Sequence, residues 1–106
     1  MPFGGNDWLA LTPEVALEPE LRICDPHHHF WDRRAERVPY QRYLLDDLLV
    51  DIGGGHNVTS TVFIEARSMY RADGPVEMKP VGEVEFAQGI AAASASGLCG
   101  PARAAA

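Results

Sequence analysis

The sequence has no long hydrophobic run, no excess of basic charge and only two cysteines. No apolar stretch approaches the roughly 20 residues that span a bilayer, which argues against a membrane protein. The formal net charge of −6 disfavours binding to nucleic acid and to anionic membrane surfaces. Cys24 and Cys99 are too few for a disulfide framework, and the first residues do not have the pattern of a secretory signal. We therefore expect a cytoplasmic protein with reduced thiols.

The composition that is present is typical of a folded domain. Of the 106 residues, 46% are hydrophobic and 23% are charged, which is ordinary globular usage. Residues 1–20 are rich in proline, glycine and acidic groups, and they predict an irregular arm with one helical turn that Thr12 caps and Pro13 begins. Residues 21–106 form the predicted folded part.

Two segments are predicted as strands. Residues 21–25 are short and partly β-branched, and Pro26 is expected to stop the strand because it has no N–H to donate. Residues 58–66 are β-branched and nearly continuously apolar, which is typical of a parallel strand that is covered on both faces. This chain offers few neighbours for such an interior strand.

Two further segments are predicted as helices. The leucines of residues 43–52 recur on one helical face, and Gly53–Gly54–Gly55 are expected to end that helix, since glycine takes the left-handed conformation without a Cβ penalty. Residues 79–96 form the second predicted helix. Its predicted apolar face consists of Val84, Ala87, Ala91 and Ala95. The order strand, helix, strand, helix indicates an α/β fold with parallel strands.

The segment Asp25-Pro26-His27-His28-His29 is the main candidate for chemistry. In extended backbone, alternate residues point to the same side, so His27 and His29 face one point while His28 faces away. Imidazole binds divalent Zn, Mn, Fe or Ni, and the pair follows the carboxyl end of a strand, where α/β barrels have their active sites. The alternative is a surface histidine triplet that binds metal weakly and without function.

The end of the second predicted strand and its loop carry further candidates. Glu65 either orients a ligand histidine or forms an ion pair with Arg67. Arg67, Tyr70 and Arg71 either bind a substrate carboxylate or belong to an ordinary solvated loop.

Other residues near the motif have simpler interpretations. Phe30 and Trp31 either line a pocket or pack against loops. Cys24 lies within the first strand and is expected to be a small buried hydrophobic residue. A nucleophile pair of Cys24 with His27 is the alternative, but the odd spacing places the two side chains on opposite faces of a regular strand. The adjacent Asp46 and Asp47 are expected on the solvated face of the first helix.

The segment ICDPHHHFWD, residues 23–32, resembles the first-strand signature of the amidohydrolase-2 family, which comprises metal-dependent hydrolases with a TIM-barrel fold. Residues 56–75 and 82–97 are similar to the second strand, its loop and the next helix of that family. The resemblance covers about residues 20–106. It implies that the α/β fold is the first two βα units of a truncated TIM (β/α)8 barrel, and that His27 and His29 match the family's metal-binding histidines.

The resemblance also implies a function. It suggests a hydrolase that uses a divalent metal, Zn or Mn, to act on a lactone or another small cyclic ester, with a small carbonyl compound as substrate. In some relatives these histidines contact substrate without a tightly held metal. Further family ligands come from later strands, so we expect an amino-terminal fragment that is inactive alone and belongs to a full-length form able to assemble as a homo-oligomer. The alternatives are a decarboxylase on the same scaffold and a small non-catalytic module that binds a metal or a partner.

Overall fold

The computed structural model of the protein is a mixed α/β fold, and it describes residues 6–32 and 41–100. Its elements are α1 (Asn6–Leu9), β1 (Arg22–His28), β2 (Trp31–Asp32), β3 (Arg42–Tyr43), α2 (Leu45–Ile52), β4 (Asn57–Phe63), a 3₁₀ helix (Val76–Met78) and α3 (Val81–Ala95). The predicted α/β class is confirmed, with β1, α2, β4 and α3 in the expected order.

Strands β1 and β4 form a parallel pair, as the alternation of elements predicts. The expected stop at Pro26 is wrong, because β1 passes through it and pairs again where His28 lies opposite Phe63. The register shifts between Asp25 and His28, which places the proline, with no N–H to donate, in the irregular step. Strand β4 ends earlier than predicted, but the Ile64 N–H still donates to the His28 carbonyl at 2.8 Å.

Strand β4 is less covered than its sequence predicts. Thr61 is its only buried residue, and within the described residues β4 pairs with β1 alone. Both faces of β4 are therefore only partly covered in the described part of the chain. The other two strands, β2 and β3, form a separate antiparallel pair in which the Trp31 ring stacks on Tyr43 with centroids 5.0 Å apart.

Helix α2 buries the face that the leucine spacing predicts, with Leu48 and Ile52 in the core. The helix begins where the Asp47 carboxylate accepts the Leu44 N–H at 2.9 Å, a bond that satisfies a donor at the helix start. Asp46 lies 3.4 Å from the guanidinium of Arg42. The two aspartates therefore have structural roles at the start of α2.

The glycine run at residues 53–55 ends α2, as the sequence predicts. Gly53 has a φ of −86°, outside the left-handed region. The chain turns instead at Gly55, where φ is +114° and a side chain would be strained.

Helix α3 lies where the sequence predicts it, but its buried face is rotated. Ala87 is buried as expected, whereas Val84 is 66% exposed. The buried positions of the first turn are Gly82 and Glu83. A Cβ atom on Gly82 would lie 2.3 Å from the carbonyl oxygen of Met69, so this turn packs directly against backbone. The buried face of α3 is therefore determined by the close approach of its backbone at Gly82 to the backbone at Met69. The spacing of apolar residues does not indicate such a contact.

The core joins both helices to the sheet. Phe30, Leu48 and Ile52 are its buried centre. The partly buried residues packed against them are Tyr43, Leu44, Leu49, Val58, Phe63, Phe86 and Ile90. Phe30 follows His29 directly, so the backbone that leaves β1 is anchored in this core.

Two further sequence expectations are wrong. The arm forms its helix at α1 and not at Pro13, and Leu17 on the arm is 96% exposed. Cys24 is exposed rather than buried. In the described parts of the chain, no helix has the length and apolar character needed to cross a membrane.

Candidate functional site

The histidine triplet at the end of β1 divides between solvent and core. His27 is exposed and His29 is half-buried, whereas His28 is 8% exposed. The His28 ring meets the rings of Phe30 and Phe63 edge to face, with centroids 4.8 and 5.8 Å apart. Alternate side chains thus lie on opposite sides, and one histidine helps to fill the core.

His27 and His29 converge. Their Nε2 atoms are 3.1 Å apart, and the rings meet edge to face with centroids 4.8 Å apart. At the start of this turn the His27 N–H donates to the Asp25 carboxylate at 3.1 Å. The two Nε2 atoms therefore lie close enough together to contact one small ligand.

A backbone carbonyl of the neighbouring strand determines the orientation of His29. The Nδ1 atom of His29 lies 2.8 Å from the carbonyl oxygen of Ile64. A carbonyl only accepts, so Nδ1 carries the proton of a neutral ring and Nε2 presents its lone pair. His27 then donates its Nε2–H to that lone pair. This arrangement is the one that orients metal-binding histidines in proteins, where the second ring nitrogen donates to a carbonyl or carboxylate.

The loop after β4, residues 64–71, is held by the first turn of α3. The Glu83 side chain is 3% exposed, and its Oε2 accepts the N–H of Ala66 at 2.9 Å and of Ser68 at 3.0 Å. The Ser68 hydroxyl in turn donates to the Phe30 carbonyl. This loop therefore connects α3 to the backbone that directly follows His29.

The same loop contains strained backbone. Arg67 and Met69 have φ values of 57° and 55°, in the left-handed region that non-glycine residues seldom adopt. Such conformations cost of order 1 kcal/mol or more and persist where the surroundings determine them. The buried bonds of Ser68, which lies between them, supply that restraint.

Glu65 and Tyr70 form a second polar pair on this loop. The Tyr70 hydroxyl donates to the Glu65 carboxylate at 2.8 Å, and this hydrogen bond raises the pKa of Tyr70. The alternatives considered for Glu65 both differ from the structure, because Ile64 orients His29 and no ion pair within the described residues joins Glu65 to Arg67. Arg67 is exposed, while Arg71 forms an ion pair with Glu85 at 2.8 Å.

Two clefts adjoin these residues. One, of about 560 Å³, lies beside β1 and α2 and includes His27 and His28 in its lining. Its wall also contains Tyr43, whose pKa is raised by burial and by its hydrogen bond to Asp51. The other cleft, of about 430 Å³, is lined by Glu65 and the start of α3. The predicted site residues therefore fall into two groups on neighbouring strand ends.

The histidine pair fits two positions of a divalent metal site. Two Zn–N bonds of about 2.0–2.1 Å at a tetrahedral angle place their nitrogens about 3.3 Å apart, close to the observed 3.1 Å. Binding through both Nε2 atoms requires His27 to carry its proton on Nδ1. The described residues contain no group of three or more potential ligands from histidine, cysteine, aspartate and glutamate. The pair is thus a partial ligand set.

Sequence reasoning missed Ile64, Ser68 and Glu83. A backbone carbonyl has no sequence signature, so the role of Ile64 required the structure. Glu83 had a signal, because it precedes Phe86, Ala87 and Ile90 by three, four and seven residues and therefore shares their helical face. A carboxylate on such a face requires buried donors.

No family model, no curated protein and no solved structure matches the chain.

Proposed function

We propose that the protein is a metal-dependent hydrolase of the amidohydrolase type that acts on a lactone or another small cyclic ester. The observation that carries this proposal is the convergence of the Nε2 atoms of His27 and His29, with His29 oriented by the Ile64 carbonyl. The pair lies at the carboxyl end of a parallel strand, the end at which α/β barrels have their active sites. We further propose that β1, α2, β4 and α3 are the first two strand–helix units of such a barrel.

In this proposal His27 and His29 hold a divalent metal, Zn or Mn, through Nε2. The metal, when bound, supplies a Lewis acid for the ester carbonyl. The Ile64 carbonyl keeps the His29 Nε2 free of a proton. Arg67 donates to oxygen atoms of the substrate, and the Tyr70 ring lies beside the substrate while its hydroxyl holds the Glu65 carboxylate. Glu65 takes the proton from the water that attacks the ester carbonyl.

A non-catalytic metal-binding module is the second candidate. It is favoured by the absence, among the described residues, of any group of three potential ligands, since catalytic zinc sites use three protein ligands. A decarboxylase on the same scaffold would share the histidine pair and differ in its product.

Metal titration tests the ligand assignment. Calorimetry with Zn²⁺ and Mn²⁺ compares the wild type, the double variant His27→Ala/His29→Ala, and His56→Ala, which removes an exposed histidine elsewhere. We expect saturable binding that the double variant loses and His56→Ala retains. Equal weak binding by all three proteins would contradict the assignment.

Product analysis then separates the functions. The full-length gene product is incubated with five- and six-membered lactones and, in separate samples, with small carboxylic acids, with the double variant as control. Release of acid and of carbon dioxide is followed. Lactone opening that the double variant loses supports the hydrolase. Metal binding without turnover supports the module, and release of carbon dioxide from a carboxylic acid supports the decarboxylase.

A further inference from the structure

We infer that Glu83 is a positioning residue for the histidine pair, because its carboxylate holds the loop whose Ile64 carbonyl fixes His29. The relevance of this contact to catalysis rests on the function proposed above. The orientation of the His29 ring can be measured without metal or substrate.

The first step is the contact between α3 and the loop. A single oxygen atom, Oε2 of Glu83, accepts two backbone N–H groups, those of Ala66 and Ser68. Glu83 and Ser68 are 3% and 5% exposed. Buried backbone donors need an acceptor, and here a side chain supplies it where neither strand nor helix does.

The second step connects the loop to the end of β1. Ile64 lies two residues before Ala66, and its carbonyl accepts the His29 Nδ1–H while its N–H donates to the His28 carbonyl. Ser68 donates its hydroxyl to the Phe30 carbonyl. The segment held by Glu83 thus contacts the residues on both sides of His29.

The third step is that the segment needs an external restraint. Arg67 lies between the two N–H groups that Glu83 accepts, and it has a φ of 57°. Without the carboxylate, nothing in this contact would keep Arg67 in a left-handed conformation, and relaxation there would displace the Ile64 carbonyl. His29 would then lose the acceptor that keeps its proton on Nδ1.

The test compares variants of Glu83 with a matched control. Glu83→Ala removes the acceptor, Glu83→Asp shortens it, and Glu83→Gln keeps one oxygen able to accept both N–H groups. Glu85→Ala removes an exposed glutamate from the same helix. The imidazole tautomer of His29 is read from ¹⁵N chemical shifts of the metal-free protein at pH 8. Circular dichroism monitors folding, and Zn²⁺ affinity is measured by calorimetry.

We expect the wild type, Glu83→Gln and Glu85→Ala to show His29 protonated on Nδ1. Glu83→Ala and Glu83→Asp should show a mixture of tautomers and bind Zn²⁺ about 10–100-fold more weakly. Folded Glu83→Ala or Glu83→Asp with an unchanged His29 tautomer would overturn the inference. Protonation of His29 on Nε2 in the wild type would also overturn the inference, because it contradicts the bond by which the Ile64 carbonyl fixes the ring. A tautomer that responds to Glu83 in a protein without Zn²⁺ affinity would refute the proposed function alone.

Discussion

The ends of β1 and β4 contribute different kinds of groups to the candidate site. The end of β1 supplies side chains with chemistry, and its two converging histidines are exposed or half-buried. The end of β4 supplies mainly restraint, through the Ile64 carbonyl, the buried Ser68 and the Glu83 carboxylate of α3. The reactive groups therefore depend for their geometry on backbone that the neighbouring strand and helix hold. Perturbations at the β4 end should affect stability and, through the Ile64 carbonyl, the orientation of His29, whereas perturbations at the β1 end should affect binding with little loss of stability.

The largest effect is expected from Gly82→Ala. The added Cβ would lie 2.3 Å from the Met69 carbonyl oxygen and 2.7 Å from the Arg71 nitrogen, and backbone atoms cannot rotate away. We expect a loss of about 3 kcal/mol in the free energy of unfolding, measured by urea denaturation.

Gly89→Ala on the same helix is the matched control, since no atom of the described residues lies within 4 Å of the added Cβ. It should stabilise the protein by about 0.5–1 kcal/mol through helix propensity. Equal stability of the two variants would show that α3 does not pack tightly against the loop at Met69 and Arg71.

A smaller loss is expected from Ser68→Ala. The change removes the hydroxyl that donates to the Phe30 carbonyl in a buried setting, which should cost about 1–2 kcal/mol. Ser96→Ala is the control, because the Ser96 hydroxyl also donates to a backbone carbonyl, at 2.7 Å, but is exposed. Chemical denaturation should show a change below about 0.5 kcal/mol for the control. A control that loses as much as Ser68→Ala would remove the argument from burial.

The sequence predicts the β1 end better than the β4 end for a physical reason. Alternation along a strand is local, so the spacing of His27 and His29 already places both rings on one side. The same is true of the leucines on α2, whose buried face follows from helical periodicity. The resemblance to a hydrolase family stays a prediction.

The restraint at the β4 end is tertiary and has little sequence signal. The rotated face of α3 follows from contact between Gly82 and the Met69 backbone, which no periodicity encodes. The course of β1 through Pro26 depends on a register shift against β4 that becomes apparent only once the strands are paired. Helical spacing indicates that Glu83 lies on the buried face, but its partners are backbone N–H groups, which have no sequence signature.

His28 belongs to the histidine triplet at the β1 end but lies in the core, so its contribution to stability should depend on pH. Its ring is buried, and neither nitrogen has a hydrogen-bond partner within the described residues. Burial lowers the pKa of His28, although the charge of Asp25 opposes this. The unfolded state therefore takes up a proton as the pH falls below about 6.5, while the folded state resists, and stability decreases.

We expect His28→Phe to raise the free energy of unfolding by about 1 kcal/mol at pH 7, because it removes an unpaired buried polar group. The gain over the wild type should be larger at pH 5, where the histidine favours the unfolded state. Urea denaturation at both pH values measures this. His56→Gln, which replaces an exposed histidine, should change the free energy little. A gain that shrinks at pH 5 would contradict the direction of the pKa shift.

The smallest effect on stability is expected at the histidine pair itself. The bond between the two Nε2 atoms is exposed, so His27→Ala should change the free energy of unfolding by less than about 0.5 kcal/mol. His29→Ala should cost slightly more, because the Ile64 carbonyl loses its donor in a half-buried setting. Urea denaturation of both variants alongside Ser68→Ala ranks their free energies of unfolding. If His27→Ala proved as destabilising as Ser68→Ala, the pair would be a structural element of the fold, and its geometry would no longer argue for a metal.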